Sequence, residues 1–137
     1  MTYSLKDNSV SAVLYHGSGK LYGVLKPRYS DLVKAEVVYA TQVRAAAICF
    51  AATWNDDIIS FGENENGFYL KENVPKAFDV FKKEGWVYTV PMKDFKTDAR
   101  LCNFERITNK EVTPLHVEHI KNLYNELKKT NILFIPH

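Results

Sequence analysis

The 137-residue sequence predicts an α+β fold, a single compact domain with a mixed or antiparallel sheet and a few short helices. Three observations predict it. Strand-length runs of β-branched and aromatic residues recur along the chain, and only a few short stretches between them read as helical. Aromatic residues reach 13%, with eight Tyr, eight Phe and two Trp, and rings of this kind favour strands and fill cores. No repeat, low-complexity tract or long linker divides the chain.

The elements follow in order. Ala12 to Tyr15 is a strand, and His16-Gly17-Ser18-Gly19 ends it in a tight turn. Residues 20 to 34 read as a surface segment stiffened at Lys26-Pro27-Arg28. Glu36 to Tyr39 is a second strand. Thr41 is placed to cap a helix from about Gln42 to Thr53, whose mostly small, apolar residues (Ala45, Ala46, Ala47, Ile48, Phe50, Ala51) call for burial against a sheet. Asn55-Asp56-Asp57 turns the chain. Ile58 to Phe61 and Phe68 to Leu70 form a hairpin about Asn64-Glu65-Asn66-Gly67. A short amphipathic helix starts near Pro75, carries Ala77, Phe78, Val80 and Phe81, and stops at Gly85 as a C-terminal cap. Trp86 to Val90 is a strand, and Cys102 to Ile107 alternates like another. A segment at Val117 to Ile120, a helix from about Asn122 to Lys129 and a strand at Ile132 to Ile135 complete the chain.

Composition narrows the class without naming a chemistry. Hydrophobic residues make up 46% and charged residues 25%, which excludes a disordered, collagenous or disulfide-scaffold chain. The net charge of +2, from 18 basic and 16 acidic residues, does not mark a dedicated nucleic-acid binder, though it permits a local basic patch. Two cysteines, Cys49 and Cys102, in apolar settings predict a reduced, cytoplasmic protein. No stretch approaches the ~20 apolar residues of a membrane span, and Met1 to Asn8 lacks the plan of a signal peptide.

Several familiar motifs are absent. His116 and His119 have no third ligand and sit beside Pro114, so no metal site is expected. Gly17-Ser18-Gly19-Lys20 lacks the spacing of a phosphate loop, because Leu21 follows the lysine. Ser18 is not in a nucleophile elbow. Neither cysteine has charged neighbours that would activate it.

Three places remain. His16 before Gly17 can present its ring and donate a bond to a sugar hydroxyl, while the glycine main chain approaches a planar amide. Tyr39, ahead of Ala40-Thr41 and a helix, can stack on a flat ligand. Glu105, with Asn103 two before it, would point both side chains to one strand face. The same residues also read plainly as a strand-end histidine before a turn, a core tyrosine and a solvent-facing glutamate.

In this order the three places resemble the ADP-ribosyltransferase fold family, and most of all its small bacterial and viral members with His, Tyr and Glu on three strands. His16-Gly17-Ser18 is similar to their early strand end. Tyr39-Ala40-Thr41 is similar to their aromatic before a helix. Glu105 followed by Val112-Thr113-Pro114-Leu115 resembles the late strand with the catalytic glutamate, for which Glu111 is a rival. The resemblance implies NAD⁺ as substrate. It implies His16, Gly17, Ser18, Tyr39, Thr41 and Asn103 as binding residues and Glu105 as the catalytic group. Many members carry Glu or Gln where Asn103 stands, which leaves the acceptor open among nucleic acid, protein and small molecule. Lys26, Arg28, Lys34 and Arg44 flank these segments and would steer a polyanion, or form a solvated basic face. Two other classes fit the residues. One is a non-catalytic binding or inhibitory protein, such as a viral factor, using Tyr3, Tyr22, Tyr29 and Trp54 at an interface. The other is an N-glycosylase-type nucleobase enzyme. A concave site joining His16, Tyr39 and Glu105 favours an enzyme, and a convex face there favours a binder.

Overall fold

Strand β1, Val13–Ser18, runs through the larger of two sheets in the computed structural model, which describes residues 13–137. Tyr3, Ala12 and the stretch Met1 to Asn8 lie outside the described residues. The other elements are β2 (Arg28–Ser30), β3 (Ala35–Thr41), α1 (Arg44–Phe50), β4 (Ile59–Asn64), β5 (Gly67–Glu72), a 3-10 helix (Ala77–Phe81), β6 (Gly85–Pro91), β7 (Glu105–Thr108), β8 (His116–Ile120), α2 (Leu123–Leu127) and β9 (Leu133–Ile135). The larger sheet has the order β2-β3-β1-β6-β8, with β7 also on β3, and all its pairs are antiparallel. The smaller sheet is β4-β5-β9, where β9 runs parallel to β5. The α+β class with mostly antiparallel sheets is therefore observed.

Both faces of the larger sheet are covered. Against one face lie α1, α2, the 3-10 helix and the smaller sheet, around Ile48, Ile59, Leu70, Phe81, Val87, Leu123 and Leu127. Against the other, Leu14, Val38, Ala40, Tyr88 and Val90 meet Leu25 and Val112. A strand covered on both sides has no clean polar alternation, which is why Tyr88 is fully buried. Its hydroxyl donates to the Lys20 carbonyl at 2.8 Å and accepts from the Tyr22 N–H at 2.7 Å, so one ring anchors the segment after β1. Tyr88→Phe leaves both main-chain groups without that partner and should destabilise the chain by about 1–3 kcal/mol. Faster hydrogen exchange at the Tyr22 amide would report the loss, and unchanged exchange there would exclude the anchoring role.

Several expected boundaries move, each for a local reason. β1 continues through His16-Gly17-Ser18 instead of turning at His16, because these residues pair with Tyr88, Val87 and Trp86 of β6. The surface segment at residues 20 to 34 contains strand β2 and a buried Leu25 bridged to Val112. Thr41 ends β3 rather than capping a helix at Gln42. Its hydroxyl oxygen accepts from the Val43 N–H at 3.0 Å, and α1 starts two residues later than expected and ends at Phe50. The Pro75 helix is one short 3-10 turn, its start held by the buried Glu72 carboxylate, which accepts from the Phe78 N–H at 2.9 Å. Gly85 is no helix cap. It opens β6, where a Cβ would lie 3.0 Å from a Leu123 methyl. The hairpin is longer than expected and turns at Glu65-Asn66, with Gly67 opening β5 at a φ of 112° that only glycine adopts readily. The late strand starts at Glu105, not Cys102. Phe104 packs edge-on against Phe61 and Phe68 of the smaller sheet, so the chain bends before the strand begins. Among the described residues no helix is long and apolar enough to cross a membrane.

Candidate functional site

The site lies where β1 and β3 part. The two strands share one pair, Tyr15 with Thr41, and Thr41 in turn pairs with Glu105 on β7. Residues directly opposite in a sheet point to the same face, so Tyr15, Thr41 and Glu105 form a row, with Tyr39 on that face two residues along β3. The next pair on the β1 side would join Gly17 to Tyr39, and it does not form. The alternation of the ladders shows what this leaves. The Ile107 N–H and C=O pair with Lys96, so the Tyr39 main chain faces away from β7, towards β1. The Thr89 carbonyl accepts from the Leu115 N–H on the β8 side, so Tyr15 and Gly17 face away from β6, towards β3. At the fork the Gly17 N–H and C=O therefore have no strand partner among the described residues.

His16 fills part of the gap. Its Nδ1 lies 2.6 Å from the Tyr39 carbonyl oxygen. A carbonyl only accepts, so Nδ1 carries the hydrogen and donates it. Burial pushes the His16 pKa below the usual histidine value, against the opposing pull of the Tyr39 hydrogen bond, and the Arg28 charge adds to the lowering. The ring is thus neutral near pH 7, with Nε2 an acceptor. The sequence led us to expect a donor to a sugar hydroxyl. In this tautomer Nε2 accepts rather than donates, so a hydroxyl placed there would have to be the donor. The depressed pKa also fixes a sign. Below about pH 6.5 the unfolded histidine binds a proton that the folded one resists. The His16 contribution to stability is therefore present above that value and lost as pH falls through the folded pKa. The difference in melting temperature between wild type and His16→Gln should shrink over that window, and a difference independent of pH would refute the assignment.

Two cavities adjoin here and share His16, Gly17, Tyr39 and Phe50. The smaller, of about 360 Å³, is also lined by Tyr15, Leu32, Thr41, Ala47 and Glu105. The larger, of about 730 Å³, takes in Ser18 and the segment from Gly19 to Tyr29. His16, Tyr39 and Glu105 thus share one concavity rather than a convex face. The Tyr39 ring is set by a 2.5 Å hydrogen bond between its hydroxyl and Ser30 Oγ and by packing on Val33, Val37 and Ile107. Glu105 accepts from the Cys102 N–H at 3.2 Å. Cys102 is exposed rather than in the apolar setting expected, and partial desolvation, followed by the neighbouring Glu105 carboxylate, pushes its thiol up, which keeps it protonated.

Not every expected residue joins the site. Asn103 lies in the exposed turn before β7, so the period-two argument that put it on the Glu105 face fails, and it lines neither cavity. Glu111 is exposed beside the Leu25–Val112 bridge and also lines neither cavity. Lys26 and Arg28 line the larger cavity, but Lys34 does not, and Arg44 is committed elsewhere. Its guanidinium lies 2.6 Å from Glu118 and 3.5 Å from Glu126, tying α1 to β8 and α2. His116 and His119 sit three apart on a strand and so point to opposite faces. His119 stacks on Trp86 with centroids 5.0 Å apart and bonds Glu84 at 2.8 Å. Sequence reasoning missed Tyr15, Leu32 and Phe50 as lining residues. Phe50 read as part of a buried helix face, yet it ends α1 38% exposed between the two cavities.

Comparison with known protein families, with curated proteins and with solved structures finds no match to this chain.

Proposed function

We propose that the fork binds NAD⁺ and that the chain transfers ADP-ribose from it to an acceptor, or to water as an NAD glycohydrolase. One observation carries this reading: a histidine, a tyrosine, a glutamate and an unpaired stretch of main chain line a single cavity. Each group suits a part of the dinucleotide. A carboxamide has one acceptor and one donor face, and the free Gly17 N–H and C=O match them. The Tyr39 ring offers a flat face to nicotinamide. Neutral Nε2 of His16 accepts from an adenosine-ribose hydroxyl. Ser18 and Arg28 in the larger cavity suit the remaining ribose and a phosphate.

Glu105 has the chemical role. It holds the 2-hydroxyl of the nicotinamide ribose, with the Thr41 hydroxyl opposite it across the strands. The C1–N bond breaks and its electron pair leaves with nicotinamide, which departs neutral. C1 gains positive character, as in glycoside cleavage, and the carboxylate stabilises that charge in a partly water-excluded cavity. An acceptor lone pair then forms the new bond to C1, and any proton the acceptor loses passes through the carboxylate to water. The test is nicotinamide release from NAD⁺ by the purified chain, read together with an NAD⁺-induced thermal shift. Release with a stabilising shift is expected, and the absence of both would sink the reading.

A further inference from the structure

The larger cavity carries more positive charge than a dinucleotide needs. Lys20, Lys26, Arg28 and Lys83 line it, no carboxylate does, and none of the four forms an ion pair among the described residues. These four charges exceed the net charge of +2 on the whole chain, so positive charge is concentrated on this wall. The diphosphate of NAD⁺ supplies two negative charges and leaves half of the cations without a counter-charge. The same wall holds Tyr29, 62% exposed on β2, and Tyr22, whose ring lies under the Arg28 guanidinium at 5.1 Å. Leu32, 53% exposed, stands at the adjoining cavity with Phe50. Cations that follow phosphates, interleaved with exposed flat rings on which bases stack, are what single-stranded nucleic acid requires. A duplex hides its base faces, and an acidic peptide would match the lysines but has no row of bases for the rings.

We propose that the acceptor is a single-stranded nucleic acid, held by Lys26 and Lys83 through its phosphates and by Tyr29 through a stacked base. Its role as acceptor rests on the ADP-ribosyl-transfer reading, but its binding does not. In the transfer, a ring nitrogen, exocyclic amine or phosphate oxygen of the strand gives its lone pair to C1 as nicotinamide leaves. Any proton released goes to the Glu105 carboxylate and then to water.

The test is fluorescence anisotropy with a short labelled single-stranded oligonucleotide and no NAD⁺, over a range of salt. A duplex of the same sequence and a glutamate-rich peptide serve as competitors. The strand should bind, and log K should fall with log salt by about 0.7 per phosphate contacted. Lys26→Gln/Lys83→Gln removes two such contacts, so the slope should flatten by about 1.4. Tyr29→Ala should weaken binding about tenfold with the slope unchanged. Melting curves check that both variants fold, and nicotinamide release without the strand should stay at the wild-type rate in each. Equal binding by all variants, or stronger competition by the peptide or the duplex than by unlabelled strand, overturns the assignment. Nicotinamide release without strand binding removes the acceptor and leaves the NAD⁺ reading standing. Strand binding without release removes the NAD⁺ reading, and the acceptor role with it.

Discussion

Glu105→Gln should lower nicotinamide release by about 10²–10³-fold, the usual loss when one preorganised charge-stabilising group is removed. The substitution is chosen to change charge and little else. A glutamine carbonyl can still accept from the Cys102 N–H that Glu105 engages at 3.2 Å, and the side chain keeps its length opposite Thr41. The NAD⁺-induced thermal shift should therefore be nearly unchanged while turnover collapses, which is the mark of a group that acts on the transition state rather than on ground-state binding. Glu111→Gln is the matched control, since Glu111 is exposed and outside both cavities. It should turn over like wild type. A Glu105→Gln variant with the wild-type rate would show that the carboxylate has no part in the chemistry.

Gly17→Ala should be the most damaging single methyl in the chain. A Cβ at this position would lie 1.8 Å from the Ala47 carbonyl oxygen, 2.8 Å from its carbon and 2.9 Å from the Ala51 nitrogen. All three are main-chain atoms of α1 or its C-terminal cap, so no side chain can rotate out of the way. Either α1 lifts from β1 or the strand bends. Overpacking a core typically costs about 1–3 kcal/mol and occasionally more. A rigid main-chain clash against the helix that buries Ala46, Ala47, Ile48 and Cys49 belongs at the upper end or beyond. That is a large share of the ~5–15 kcal/mol by which domains are stable. The urea midpoint should fall sharply or the protein should fail to fold. Gly23→Ala, where an added Cβ meets nothing within 4 Å, should leave the midpoint in place. An unmoved midpoint in Gly17→Ala would mean that α1 does not sit on the strand as described.

The same glycine shows what sequence can and cannot disclose. Its adjacency to His16 is legible, and it reads as a turn or as room for a ligand. Its nearest neighbour, the Ala47 carbonyl, is thirty residues away in the chain, and nothing local announces that contact. Features built from neighbours in sequence were readable. The hairpin about Asn64 to Gly67, the small-sided helix near Ala45 to Ala51 and the strand at Trp86 to Val90 all appear, with shifted ends. Features set by distant partners were not. Ser18 belongs to β1 only because Trp86 faces it, β2 exists only because Ala35 to Val37 lies alongside, and Cys102 to Phe104 leaves the strand because Phe104 finds Phe61 and Phe68. For the site, the residue types at positions 16, 39 and 105 were visible. The tautomer of His16, the missing Gly17–Tyr39 pair and the absence of Asn103 from the cavity depend on register, which no single sequence states.

The strand order β2-β3-β1-β6-β8 carries a kinetic consequence. Among the described residues β1 has no sequence neighbour beside it along its length, and its six-residue ladder is with β6, about seventy residues further on. Pairing across such a separation must meet the entropy of closing a long loop before any contact rewards it, and chains dominated by distant pairings fold slowly for that reason. The β4–β5 hairpin needs no such closure and can form early. His16 and Gly17 acquire their surroundings only when β1 has found β3, β6 and α1. The cavity at the fork is therefore among the last parts of the molecule to exist during refolding, and recovery of the proposed NAD⁺ binding should lag behind recovery of hairpin structure.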